Sequence, residues 1–414
     1  MSHYSFFNIA KKAIGGHQSW QPAWRNVAPK KHYDVVIIGG GGHGLATAYY
    51  LATRQGISNV AVIEKGWVGG GNTGRNTQVV RSNYFYPESA AFYDHSLKLY
   101  ENLSHELNFN LMLSQRGQLS LAHNEHELEM MRRTGNAILL NGIDAYELSP
   151  AEIKKRVPLI NLNARYPVMG GLLQPRGGIV RHDAVAWGLA RGAYNAGVDI
   201  IENCSLTGMD INDGGITGIQ TSLGSISAEK VGVAVAGHSS EVARMAGLQL
   251  PITSMSLQAM VTEPIKPVLD VSVISPSIHM YTSQSDRGEI VLGGGADVYN
   301  SYAQRGSLPA IENNVAALLE LFPRFSRLKL MRQWAGVVDM SPDTSPIIGK
   351  TPVENLFINC GWGTGGFKAI PGGGDTFAHT IAHNKPHPLI EAFDWWRFER
   401  GALIDESAAS GVAH

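Results

Sequence analysis

The stretch Tyr33-Asp34-Val35-Val36-Ile37-Ile38-Gly39-Gly40-Gly41-Gly42-His43-Gly44 decides the fold. Val35 to Ile38 is a short, unbroken β-branched run, which predicts a strand buried on both faces of a parallel sheet. The glycines follow at once, Leu45 to Arg54 reads as a helix, and Val60 to Ile63 is a second buried run ending at Glu64. Together these pieces make a complete strand-helix-strand unit of about 30 residues. Its turn satisfies G-x-G-x-x-G, and Glu64 stands 20 residues beyond Gly44. That context separates a dinucleotide-binding unit from a chance glycine turn.

Each position in the turn has a physical task. Gly39 permits the tight turn, Gly41 lets backbone N–H groups reach a pyrophosphate, and Gly44 lets helix and strand pack closely. Gly42 and His43 open the helix, whose N-terminus supplies free N–H donors and a favourable dipole. Glu64 can accept both hydroxyls of a ribose. FAD and NAD share this fingerprint. The small polar loop Gly69-Gly70-Gly71-Asn72-Thr73-Gly74-Arg75-Asn76-Thr77 favours the more extended FAD, with Asn72, Thr73 and Thr77 as contacts on its second pass, although an ordinary mobile loop has the same composition.

Composition narrows the partners. The chain has 414 residues, with 34 basic groups nearly balancing 35 acidic ones, so neither nucleic acid nor an anionic membrane is expected as the main partner. Cys204 and Cys360 are the only cysteines. They lie far apart without metal-ligand spacing, which points to a reducing compartment and to no zinc site. No apolar run approaches the roughly 20 residues that span a bilayer, and a cytoplasmic protein is expected.

Residues 1 to 32 carry aromatic and basic side chains without clean periodicity, including Tyr4, Phe6, Trp20 and Trp24. Such an arm either packs on its own domain or docks on a partner. Ala184 to Ala196 as helix and Val198 to Ile201 as strand look like a return to the first sheet, with 226 to 236 as a further strand. The segment from about 245 to 330 is strand-rich, and a final helix is expected near Asp375 to His383. The fold expected is α/β: a discontinuous Rossmann-like FAD-binding domain from 33–85, 177–245 and 331–390, and an α+β substrate domain with a large, mostly antiparallel sheet from 86–176 and 246–330. The arm at 1–32 and a tail at 391–414 complete the chain.

On the dinucleotide turn and four further blocks, the sequence resembles the D-amino-acid and sarcosine oxidase family of amine-oxidising flavoproteins. The blocks are Asn72 to Tyr84, Gly177 to Asp183, Ala236-Gly237-His238-Ser239, and Gly361 to Lys368. The arm and the segment Arg176-Gly177-Gly178-Ile179-Val180-Arg181-His182-Asp183-Ala184-Val185-Ala186-Trp187 are most similar to the β subunits of the heterotetrameric members. The resemblance implies that Arg81 grips a substrate carboxylate, a task suited to the guanidinium fork, and that Lys368 completes the clamp beside the flavin. It further implies that His182 carries a covalent FMN in addition to non-covalent FAD, and that a larger α subunit and small subunits assemble with this chain. Leu206, Gly363 and Gly366 join the expected cofactor contacts. Where monomeric relatives attach FAD through a cysteine, this chain matches Gly336. Without the resemblance, His182 reads as a capping residue and Asp183 as a helix N-cap.

The implied reaction takes a small secondary amino acid, N-methylglycine, to glycine and a one-carbon unit at the formaldehyde level. A related FAD-dependent secondary or D-amino-acid dehydrogenase subunit is the alternative, as is a non-catalytic electron-transfer subunit. His43, His238, His279 and Tyr281 are open candidates for neighbours of the flavin.

Overall fold

The computed structural model describes residues 5–16, 18, 22–297 and 299–404. The arm divides in two. Helix α1 (Phe6–Ile14) buries none of its residues, and Phe6, Phe7, Ile9 and Ile14 are exposed. The following segment packs on the chain itself: Asn26 bridges to Ile200, and the Trp24 indole donates to the Glu202 carboxylate at 3.4 Å. The expectation that the arm packs on its own domain therefore holds for its second half, while α1 is exposed; Tyr4 and Trp20 lie outside the described residues.

The first sheet grows from β1 (His32–Ile38). Helix α2 (Gly42–Arg54) follows, starting three residues before the expected Leu45 because the glycine turn runs directly into it. β1 pairs in parallel with β2 (Val60–Ile63), and β2 in parallel with β3 (Asp199–Ile201), which follows α3 (His182–Asn195). On its other side β1 pairs in parallel with β4 (Gly224–Val233). Beyond β4 the edge is built by β5 (Ile347–Lys350) and β6 (Leu356–Cys360), with β6 parallel to β4 and β5 antiparallel to β6. The strands Leu206–Asn212 and Gly215–Thr221 fold back antiparallel on β4.

Helices α2, α3 and the late helix α4 (Ile370–His383) cover one face of this sheet, burying Leu45, Leu51, Leu189, Phe377 and Ile381 with Val35, Ile37, Val60 and Val62. Glycine sets the spacing: a Cβ at Gly374 would lie 2.3 Å from the Cβ of Ala46. Ile216, Ile219 and Val242 pack on the opposite face with Val36, Ile38 and Val231. With both faces covered, the central strands are continuously apolar, as a buried parallel sheet requires.

The second sheet has eight strands in the order Leu330–Met340, Thr253–Pro264, Glu289–Ala296, Met280–Gln284, Ser272–Ser275, Gln118–Ala122, Gly170–Gln174, Tyr146–Leu148. Every pairing is antiparallel except that of Ser272–Ser275 with Gln118–Ala122. The strand Leu330–Met340, expected from residue 331 onward with the nucleotide-binding part, bonds along its length to Thr253–Pro264. Its backbone therefore belongs to the second sheet, and it forms the physical link between the two. The tail is anchored through residue 404 by the fully buried pair of Arg397 and Asp343, whose guanidinium donates to both carboxylate oxygens at 2.8 Å. No helix among the described residues is long and apolar enough to cross a membrane.

Candidate FAD and substrate site

A cavity of about 770 Å³ is lined by residues of both sheets. Gly39, Gly41, Gly42 and His43 of the first turn contribute to its wall, with Glu64 at the end of β2, Asn72, Thr73 and Thr77 of the polar loop, and Leu206. The loop after β6 supplies Gly363, Gly366 and Lys368, and Arg81 lies on the same lining. Gly44 lies behind the wall, where a Cβ would come 1.9 Å from the Gly39 carbonyl oxygen. Only glycine allows α2 to start so close to β1.

The sequence shapes this wall by bonding the turn to the loops. The Glu64 carboxylate accepts the N–H groups of Gly40 and Gly66, each at 2.8 Å. Each carboxylate oxygen retains a further lone pair for a ribose hydroxyl. The Thr73 hydroxyl accepts the Gly42 N–H at 2.8 Å, and Asn72 accepts the Val337 N–H at 2.9 Å. Thus the polar loop connects the first turn to the second sheet. The buried His43 ring contacts the Gly366 carbonyl at 2.8 Å and stacks on Trp362 at 4.9 Å. Burial holds its pKa down at about 4. The neutral ring donates from Nε2, and its Nδ1 is a buried acceptor with no hydrogen-bond partner among the described residues.

Arg81 and Lys368 are each 8% exposed. The Arg81 guanidinium donates to the Asn83 side chain at 2.9 Å and lies over the Tyr84 ring at 4.5 Å. Lys368 Nζ donates to the Thr364 carbonyl at 3.1 Å. Burial, reinforced by the like charge of Arg81, pushes the lysine well below its ordinary pKa. An anion beside the two side chains would favour the charged form of the lysine that burial and Arg81 oppose.

His182 occupies the first position of α3 and does not line the cavity. It is linked to it through Gln78, a lining residue whose amide nitrogen lies 3.2 Å from His182 Nδ1. Burial lowers the His182 pKa. Asp183 is not the N-cap: Arg181 takes that place, while Asp183 accepts the Arg181 guanidinium and the Ala184 N–H, each at 2.8 Å. Of the open candidates, His43, His238 and Tyr281 line the cavity and His279 does not. Burial pushes the Tyr281 hydroxyl up to about 12.

Asp339, absent from the expected site, is a lining residue at 2% exposure. Its signal was an acid inside the apolar run Val337-Val338-Asp339-Met340. Surface residues His32, Asp34 and Glu229 bring three ligand atoms within 4.8 Å of one another, outside this cavity.

The residues present fit FAD. The cavity runs unbroken along the dinucleotide turn, the ribose-binding acid and the loop at Lys368, and the turn is closed to any residue with a Cβ at Gly44. The sequence profile of the FAD dependent oxidoreductase family matches residues 34–380, and the chain belongs to that family. Among its relatives, sarcosine oxidase subunit beta of Rhodobacter capsulatus is 53% identical over the full length of both chains. The protein of the same name from Rhizobium meliloti is 52% identical over 97% of each. Among solved structures, L-proline dehydrogenase from P. horikoshii superposes with a TM-score of 0.85 at 27% identity, covering 90% of this chain and 99% of that one. The chain is an FAD-dependent amine oxidoreductase, similar over its whole length to one subunit of a multi-subunit enzyme.

Proposed function

We propose that this chain oxidises sarcosine to glycine and a one-carbon unit at the formaldehyde level, as the β-type subunit of a cytoplasmic hetero-oligomer. The observation that carries the proposal is the pair Arg81 and Lys368 on one buried wall. Arg81 would bind the substrate carboxylate through its fork and Lys368 would complete the clamp, holding the amine and its N-methyl group in a fixed direction. When bound, FAD supplies the acceptor for the hydride equivalent leaving the substrate C–H bond. The resulting imine takes up water and releases glycine. Gly39, Gly41, Gly42, His43, Gly44, Glu64, Asn72, Thr73, Thr77, Leu206, Gly363 and Gly366 would hold the cofactor. In this reading, 33–85, 177–245 and 341–390 bind FAD, and 86–176 with 246–340 form the substrate part, the strand Leu330–Met340 pairing with that part's sheet while its end lines the cavity.

The finer part of the proposal places a covalent FMN on His182, receiving electrons from FAD, at a contact with a larger α subunit. The exposed indoles of Trp67 and Trp187, the latter on the same helix as His182, and the unburied apolar side of α1 support a partner surface. Similarity to L-proline dehydrogenase favours one alternative, a dehydrogenase for another secondary amino acid.

The test is to co-produce the chain with its natural partners, precipitate it in acid and map flavin on its peptides. Flavin on the His182 peptide, with FAD in the supernatant, is the expected result. An unmodified His182 peptide overturns the FMN assignment. Turnover of sarcosine against L-proline and N,N-dimethylglycine decides the substrate, and preference for either rival overturns sarcosine.

A further inference from the structure

Asp339 ends a run of buried strand, and the loop after β6 wraps around its carboxylate. Its Oδ2 accepts the Gly361 N–H at 2.6 Å. The loop takes an unusual backbone there: Gly361 has φ 73° and Gly363 φ 51°, values that favour glycine. The neighbouring Met340 bridges to Trp362, and the Trp362 indole is fixed by Asn359 at 2.5 Å. The next residue, Thr364, offers the carbonyl to which Lys368 Nζ donates at 3.1 Å. A continuous path of bonds thus runs from Asp339 through Gly361–Gly363 and Thr364 to the Lys368 ammonium.

We propose that Asp339 is a positioning residue, which holds the loop from Gly361 to Lys368 in its cofactor-facing shape by accepting the Gly361 N–H where the loop begins. The buried carboxylate ties the start of the loop to the end of strand Leu330–Met340, and the loop is preformed before any ligand enters. Pre-organisation of this kind lowers the ordering cost of binding. Because Asp339 also lines the cavity, its charge adds to the electrostatic environment of whatever ring system occupies it once the pH exceeds the value of about 7 to which burial raises its carboxyl. The inference rests on FAD occupying the cavity and is independent of which amine is oxidised.

Hydrogen exchange on the wild-type protein, read by mass spectrometry with FAD bound and after its removal, tests the preformed loop. The Gly361 amide should stay protected in both states; protection that appears only with FAD overturns the proposal. Asp339→Asn and Asp339→Ala test the role, with folding followed by circular dichroism. Asp339→Ala should raise the Kd for FAD at least tenfold. At about pH 8, where the wild-type carboxyl is ionised, Asp339→Asn, similar in shape but uncharged, should move the midpoint potential of bound FAD to a more positive value and displace its visible absorption band. A folded variant with wild-type Kd, spectrum and potential overturns the assignment whatever its activity toward sarcosine.

Discussion

The His43 imidazole reaches the Gly366 carbonyl at 2.8 Å and joins the first glycine turn to the last across 323 residues of sequence. The bond lies inside the cavity wall, so the residue that opens the dinucleotide-binding helix also supports the loop carrying Lys368. Replacing His43 with Phe keeps a ring to stack on Trp362 and removes one of two donors to the Gly366 carbonyl, which the Ala369 N–H still reaches at 3.2 Å, a loss of about 0.5–1.5 kcal/mol. FAD affinity should fall by up to about tenfold, as measured by fluorescence titration of the apoprotein. Unchanged affinity would remove His43 from the binding machinery.

The two buried titratable groups His43 and Asp339 impose opposite pH dependences. His43 has a folded-state pKa of about 4 against an ordinary 6.5, so the unfolded chain binds the extra proton between those values and stability rises with pH. Asp339 is pushed up to about 7 from 3.8 by burial, so the folded chain holds the extra proton and stability falls as pH rises through that window. Each slope is about 1.4 kcal/mol per pH unit, and from about pH 4 to 6.5 they offset. In the His43→Phe apoprotein the Asp339 slope should be unmasked, with stability against urea declining from pH 4.5 to 6.5 relative to wild type.

Lys368→Met separates catalysis from stability. It removes a charge-assisted contact worth about 1.5–3 kcal/mol, so kcat/KM for sarcosine should drop by about 10- to 150-fold. Burial and Arg81 already disfavour the charged lysine, so thermal stability should hold or increase. Arg81→Lys keeps charge but loses the fork and should raise KM by at least tenfold. Turnover indifferent to both changes would favour a subunit that only passes electrons.

Gly44→Ala should yield protein without flavin. Its Cβ would meet the Gly39 carbonyl oxygen at 1.9 Å, and a backbone atom of the turn cannot give way as a side-chain end can. The ratio of flavin to protein after purification checks this; a normal ratio would mean that α2 can move away from β1.

Much of this arrangement is legible in the sequence because it is local. The apolar run before Gly39, the glycine turn and Glu64 lie within one strand-helix-strand unit, and the structure brings Asn72, Thr73, Arg81 and Lys368 to the cavity that unit opens. What escaped depends on distant pairing. Nothing around residue 331 announces that Leu330–Met340 hydrogen-bonds to Thr253–Pro264, because register between strands some 70 residues apart leaves no local mark. The partner of Asp339 was hidden for the same reason, since it is the Gly361 N–H of another segment. Asp183 misled because an acid before an apolar helix has the composition of an N-cap, whereas Arg181 turns it aside.

The loop between β6 and α4 also dictates an order of events in the making of the protein. β6, the Gly361–Lys368 segment and α4 all lie beyond residue 355, yet they form the far wall of the cavity and cover the face of the sheet begun at His32. A chain still emerging from the ribosome has its nucleotide turn early and lacks that wall until the residues beyond 355 have been made. Capture of the cofactor therefore awaits the segment after β6, and a truncation before residue 355 that spares the whole first βαβ unit would still yield a colourless product.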